Sequence, residues 1–226
     1  MRPILIVRPE PGASDTARRV RALGLDARCM PLFRIEPIAW AAPYAANFDA
    51  LLITSANAVR HAGAGLAALA KLPCYCVGDA TAAAARAAGL KVAETGNGEA
   101  RALVDCMTSC GHRKLLWLTG KDRTALRSDT ARITPLVCYR AAAIDAPPGW
   151  AEAVAAPAIL LLHSARAAQR ASALAAVARR HLIAIAISDA VAAAAGPDWE
   201  ELVVAPAPTD ADMLAIAAKL CQTPMA

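Results

Sequence analysis

Apolar and polar positions alternate between two textures along the 226-residue chain. Short, continuous apolar runs occur at 4–7, 50–54, 74–77, 114–118, 159–162 and 182–187. Runs this short, without internal polar alternation, predict strands buried on both faces, as in parallel sheets. Between them, Val59, Ala62, Leu66 and Leu69 recur at helical spacing, and so do Ala167, Ala171, Leu174 and Ala178. After the first run, Ser14 is expected to cap a helix and Gly24 to end it. Strands alternating with helices predict an α/β fold with parallel sheets covered on both faces.

The pattern also repeats. Leu51-Leu52-Ile53-Thr54-Ser55-Ala56-Asn57 resembles Leu160-Leu161-Leu162-His163-Ser164-Ala165-Arg166. Val77-Gly78-Asp79-Ala80-Thr81-Ala82 resembles Ile187-Ser188-Asp189-Ala190-Val191-Ala192, and Gly98 to Leu103 resembles Thr209 to Leu214. The offsets are nearly constant and the order is kept. The period is far longer than solenoid repeats of about 20–50 residues, so two similar domains are expected. The first copy looks complete, whereas the second is one strand–helix unit short. The unpaired N-terminal unit fills that place most simply. The expected domains are therefore a discontinuous one, 1–31 plus 143–226, and an inserted one, 38–134, with connections at 32–37 and 135–142. At these connections lie two extended segments, Pro31 to Pro37 and Pro135 to Arg140, each opening with Pro, which disfavours helix at the residue before it. Such a pair suits a hinge.

Composition narrows the function classes. Hydrophobic residues make up 57% of the chain, enough for a sizeable core and too many for disorder. The formal charge of +5 suits an anionic small molecule and equally suits an ordinary protein surface. Without dense Lys/Arg runs or aromatic-interleaved basic motifs, nucleic acid is not an expected partner. The seven cysteines form neither a C-x-x-C pair nor a zinc spacing, so reduced thiols in the cytoplasm are expected. Cys74 and Cys76 read as strand residues. Met1 to Val7 does not read as a signal peptide, and no apolar run suggests a membrane span. No Asp/Glu cluster suggests a metal.

Ligands of open α/β sheets bind beyond the carboxyl ends of the strands. There this sequence places Arg8 to Gly12, Thr54 to Asn57, Gly78 to Thr81, Thr119 to Asp122, His163 to Arg166, Ser188 to Ala190 and Pro208 to Asp210. These turns open helices, whose free N–H groups bind carboxylates. Ser, Thr and Asp are also ordinary N-caps without any ligand. Thr119-Gly120-Lys121 lacks the glycine spacing of a phosphate loop. His61 and His112 read as solvated surface residues, and His163 sits beside Ser164 at a strand end. Tyr139, in the second connection, suits proton donation to a leaving group; packing on a domain face is the alternative.

Taken together, Ile6-Val7-Arg8-Pro9, Phe48-Asp49, Ile53 to Val59, Val77 to Ala82 with Gly89, Val137-Cys138-Tyr139-Arg140 and Pro208-Thr209 resemble the uroporphyrinogen-III synthase family. The likeness spans nearly the whole chain. It implies two flavodoxin-like (Rossmann-type) parallel-sheet domains joined by a two-stranded linker. It implies a cytoplasmic, cofactor-free cyclising hydro-lyase of porphyrin and heme biosynthesis. In the cleft between its domains the linear tetrapyrrole hydroxymethylbilane closes with inversion of the terminal ring and loss of water. The resemblance makes Tyr139 catalytic and Arg8, Ser55, Gly78, Thr81, Ser164 and Ser188 substrate-binding. A monomer is expected, with the upstream hydroxymethylbilane synthase as a candidate partner. The family has Gly at position 188 and Thr at 191, where this chain has Ser188 and Val191. The segment after Lys121 is expected to be a short helix. Two rivals share the architecture. One is a non-catalytic two-domain protein that binds a small anion. The other is a flavodoxin-like redox protein, which the scarcity in these turns of the aromatics that flank a flavin argues against.

Overall fold

A computed structural model describes residues 1–222. In chain order the elements are β1 (Ile4–Ile6), α1 (Gly12–Ala22), β2 (Ala27–Cys29), β3 (Phe33–Pro37), β4 (Ala50–Ile53), α2 (Ala56–His61), β5 (Cys74–Cys76), α3 (Asp79–Ala87), β6 (Val92–Thr95), α4 (Ala100–Ser109), β7 (Lys114–Gly120), β8 (Arg132–Ala143), α5 (Trp150–Ala155), β9 (Ala158–Leu162), α6 (Ala165–Ala175), β10 (Leu182–Ala186), α7 (Asp189–Ala195), β11 (Glu201–Val204) and α8 (Asp210–Gln222). The architecture is α/β, with sheets that are mainly parallel.

The chain folds as two compact units, Met1–Arg34 with the chain from Ala142 onward, and Ile35–Ala141. The first unit's sheet has the order β11-β10-β9-β1-β2, all parallel. The second carries β6-β5-β4-β7-β8, also parallel, with β3 added beside β8. Place by place, β9, β10 and β11 correspond to β4, β5 and β6, as the internal repeat pairs them. The N-terminal β1 and β2 hold the places that β7 and β8 hold in the other sheet. The two sheets are thus circular permutations of one arrangement. β3 runs antiparallel to β8, since Ile144 N–H donates to the Leu32 carbonyl while Ile38 N–H donates to that of Cys138.

Each sheet is buried as its apolar runs dictate. In the second unit Leu51, Ile53, Cys74, Cys76, Leu116 and Leu118 pack with α2 and α3 on one face. Alternate residues, Leu52, Tyr75, Leu115 and Trp117, meet Leu103, Val104 and Met107 of α4 on the other. In the first unit Ile4, Ile6, Ile159, Leu161, Ile183 and Ile185 pack against Ala13, Ala17 and Val20 of α1 and Met213 and Leu214 of α8. Small alanines let the helices approach the sheet closely.

Several local expectations differ from the structure. Ser14 does not cap α1. It lies inside the first turn, and its N–H and hydroxyl both donate to the Glu10 carboxylate at 3.0 Å. A carboxylate one turn earlier accepts both groups at once, which displaces the serine from the capping role. Gly24 does follow the helix end, at φ +75°. The periodic stretch 59–69 is not one helix: α2 ends at His61 and a 3-10 turn covers Gly63–Leu69, with Gly63 at φ +65° at the break. Likewise α6 ends at Ala175, a positive φ at Ala176 follows, and Ala178 lies in a 3-10 turn. Residues 121–131 form no helix.

Candidate active site

In each unit the order of connections reverses at one place in the sheet. Chain connections lead from β9 toward β11 and from β1 toward β2, so β1 and β9 flank the reversal in the first unit. β7 and β4 flank it in the second. Crevices at such points are where open α/β sheets hold ligands.

In the second unit this place is built around Tyr139. β8 pairs with β7 in register up to Thr119↔Val137, then shifts so that Gly120 faces Tyr139. The extra residue is a bulge, which breaks the in–out alternation of the strand. Leu136 and Cys138 share one face in the ordinary way, and the bulge turns Tyr139 toward that face as well. Its ring lies over Gly120, where a Cβ would stand 2.6 Å from the ring's Cζ. Lys121 N–H donates to the Tyr139 carbonyl at 2.8 Å and fixes the backbone there.

Ser55 is the N-cap of α2, at the carboxyl end of β4. Its hydroxyl oxygen accepts from Asn57 N–H at 3.2 Å. Burial pushes the Tyr139 phenol above the usual tyrosine range, and the neighbouring Ser55 hydroxyl partly opposes that shift. Tyr139 is therefore protonated at neutral pH, as a proton donor must be. His61, in the last turn of α2, has its ring centroid 6.4 Å from that of Tyr139 and is half-buried. The expectation of a solvated His61 is corrected: the short helix turns its last residue onto the tyrosine, and burial lowers the imidazole pKa. His112 is likewise not a free surface residue, for its Nε2 meets the Tyr75 hydroxyl at 3.1 Å.

Gly78 and Thr81 stand at the next strand end, beyond β5. Gly78 caps α3 in an extended conformation, and its carbonyl accepts from the N–H groups of Thr81 and Ala82, both at 3.0 Å. A Cβ on Gly78 would meet nothing within 4 Å. Thr81 is buried.

The first unit repeats the plan with different chemistry. Ser164 caps α6 and accepts from Ala167 N–H at 3.2 Å, as Ser55 does for α2. Ser188 caps α7 at φ −163°, ψ 164°, nearly the backbone of Gly78, and its side chain makes no capping bond. Val191, at the place of Thr81, is buried among apolar neighbours. Arg8 follows β1, and its guanidinium passes so close to α1 that a Cβ on Gly12 would stand 2.6 Å from Nε.

Sequence reasoning gave no role to the group behind Arg8. Asp210 opens α8, and its carboxylate accepts from His163 Nε2 at 2.8 Å and from the Thr16 hydroxyl at 3.1 Å. Arg19 also pairs with it, and Arg8 lies 3.6 Å away. Burial disfavours the Asp210 charge, but its partners, His163 first, hold the carboxyl below the usual range. His163 is pushed down by burial and stays neutral, with its proton on Nε2. Its place next to a cap serine at a strand end is the readable signal; Thr16 and Arg19 lie too far from Asp210 in sequence to be grouped with it. Among the described residues no group of three or more His, Cys, Asp or Glu is placed to hold a metal ion. Nor is any described helix long and apolar enough to cross a membrane.

A family model described as uroporphyrinogen-III synthase HemD matches residues 14–215. No curated protein matches the chain in sequence. Among solved structures, it is similar to the uroporphyrinogen-III synthetase of Helicobacter pylori 26695, at 18% identity and TM-score 0.66, over 97% of this chain and 100% of the other. It is also similar to a mutant uroporphyrinogen III synthase from the extremely thermophilic bacterium Thermus thermophilus, at 15% identity and TM-score 0.54, over 98% and 100% of the two chains.

Proposed function

Because the chain belongs to the uroporphyrinogen-III synthase family, we propose that Tyr139 is the proton donor of its reaction and that Arg8, Ser55, Gly78, Thr81, Ser164 and Ser188 bind the substrate. The enzyme is a cyclising lyase acting on hydroxymethylbilane. We further read the fold as two flavodoxin-like domains, 1–31 plus 143–226 and 38–134, joined by the strands at 32–37 and 135–142. A monomeric, cytoplasmic enzyme supplied by the upstream hydroxymethylbilane synthase completes the reading.

The observation that carries the catalytic assignment is the Tyr139 phenol laid over Gly120, at the bulge that ends β7, with the Ser55 hydroxyl as its neighbour. The Tyr139 O–H protonates the departing hydroxyl of hydroxymethylbilane, which leaves as water and yields an azafulvene cation. The substituted carbon of the last pyrrole attacks that cation and forms a spiro intermediate. Rearrangement inverts the ring, and closure releases a proton that balances the one donated. The neighbouring Ser55 hydroxyl favours the ionised phenol and so stabilises the phenolate left behind. Unassisted closure gives the uninverted isomer I, so holding the terminal rings is the larger part of the task.

The substrate carries eight carboxylates, which suit backbone N–H groups at helix starts and the Arg8 guanidinium. The deciding assay supplies hydroxymethylbilane and resolves isomers I and III. Isomer III formed faster than spontaneous closure supports the reading; isomer I alone, at the spontaneous rate, overturns it.

A further inference from the structure

The first unit carries a partly buried ionic network whose members neither the proposed proton transfer nor ordinary helix capping uses. Among the described residues Arg8 has one hydrogen bond to the Thr16 hydroxyl, at 3.4 Å, and the ion pair with Asp210, at 3.6 Å. A guanidinium has five N–H donors in a rigid fork, so most of this one's are unspent. Its side chain keeps 35% of its exposure, whereas those of His163 and Asp210 keep 7% and 12%. A half-buried cation with donors to spare is thus backed by a more deeply buried, fully engaged carboxylate. The pair lies between the ends of β1 and β9, where the connections of the sheet reverse.

We propose that Asp210 is a positioning residue that holds the Arg8 guanidinium, across Gly12, in the orientation that receives a substrate carboxylate, and that His163 orients Asp210. The inference rests on the substrate-binding role proposed above for Arg8.

The physical case has three parts. First, a long arginine side chain carries about 2 kcal/mol of rotamer entropy, and holding it in place before the ligand arrives removes that cost from binding. Second, Asp210 is itself tied from three other directions: Thr16 and Arg19 from α1 and His163 from the end of β9. It therefore cannot follow Arg8 if the guanidinium moves. Third, Gly12 leaves the volume that the guanidinium occupies. A carboxylate bound by the outer edge of the fork would form the bidentate pair that arginine geometry favours. In the second unit the place of His163 is taken by Thr54, whose hydroxyl accepts from Trp117 Nε1 at 3.0 Å, so no imidazole stands there.

The test is a double-mutant cycle on the full-length enzyme, read as kcat and KM for isomer III formation from hydroxymethylbilane. Asp210→Asn should raise KM about tenfold, the loss of one charge-assisted interaction, with kcat within about twofold. In an Arg8→Ala background the same substitution should add little, because the residue it positions is gone. Asp210→Glu should recover part of the loss. His163→Phe, which leaves the carboxylate in place, should raise KM by a smaller factor and also lose its effect without Arg8. If Asp210→Asn is as costly without Arg8 as with it, or lowers kcat at unchanged KM, the proposal is overturned. The cycle is repeated on the Kd of uroporphyrin III, an octacarboxylate tetrapyrrole, followed by fluorescence. Non-additive binding in a protein that makes only isomer I would refute the activity and leave the positioning role standing. Additive binding refutes the positioning role whatever the turnover.

Discussion

The Tyr139 ring rests on the bare backbone of Gly120: a Cβ there would lie 2.6 Å from Cζ, 2.8 Å from Cε2 and 2.9 Å from the phenol oxygen. Contacts that short require the ring to move, because the Lys121 N–H holds the Tyr139 carbonyl and the backbone there cannot yield. Gly120→Ala is therefore expected to expel the ring from its place beside Ser55. Overpacking of this kind costs about 1–3 kcal/mol of stability. Turnover should fall at least as far as in Tyr139→Phe, since the proton donor is displaced rather than shortened. Urea unfolding and the isomer III assay check both. Wild-type activity in a folded Gly120→Ala protein would detach Tyr139 from the reaction.

Tyr139→Phe removes the acidic proton and keeps the packing. A positioned general acid is worth about 100- to 10,000-fold, and the expected loss lies at or below the low end because positioning supplies most of the selectivity. Isomer III should still predominate over isomer I. The wild-type pH profile follows from the direction of the shift: burial raises the phenol, so its proton is retained through the neutral range and lost only above the usual tyrosine value of about 10. An alkaline limb near pH 8 that Tyr139→Phe leaves in place belongs to some other group.

The strands are legible because buried parallel strands are continuous apolar runs, and Leu51–Ile53 and Leu160–Leu162 are nearly the same run. Their neighbours in the sheets could not be read so directly. β2 and β11 are short and carry charged residues, Arg28 and Glu201, because they lie at sheet edges. Helix lengths were overestimated where alanine periodicity runs on past a residue with positive φ, at Gly63 and Ala176. Of the candidate site, Ser55, Gly78, Thr81, Ser164 and Ser188 are found at strand ends or the helix starts that follow them. The chemistry around Arg8 was illegible: Thr16, His163 and Asp210 are brought together only by the permuted sheet, from opposite ends of the chain.

The equivalent cap positions should respond differently to substitution. Ser164 accepts a hydrogen bond from Ala167 N–H, so Ser164→Ala should cost about 0.5–2 kcal/mol. Ser188 makes no such bond and has the backbone of Gly78, so Ser188→Gly should cost only a few tenths of a kcal/mol. Denaturant midpoints of the two variants decide this. A Ser188→Gly loss as large as that of Ser164→Ala would mean that its hydroxyl supports the fold rather than standing free for a ligand. If the hydroxyl is free for the substrate, Ser188→Gly should raise KM at nearly unchanged stability.

Acid should weaken the first unit through His163. The imidazole is packed among Arg8 from the end of β1, Thr16 and Arg19 of α1 by way of Asp210, and Asp210 itself from α8. Burial and the Arg8 charge hold its folded pKa below that of the unfolded chain, although the Asp210 bond opposes them. A depressed histidine binds fewer protons when folded than when unfolded, so stability rises with pH across the interval between its two pKa values. It is fully present above the unfolded value of about 6.5 and declines as pH falls below it. Asp210, also depressed, acts in the same direction lower down, its contribution being lost as pH falls below the ordinary aspartate range. Urea unfolding at pH 7.5 and pH 5.5 should show a drop in the wild type that is smaller in His163→Phe, even though that variant is weaker at pH 7.5 for lack of the bond to Asp210. Equal drops in the two proteins would mean that His163 already carries its proton in the folded state, and the neutral Nε2–H tautomer assigned to it would be wrong.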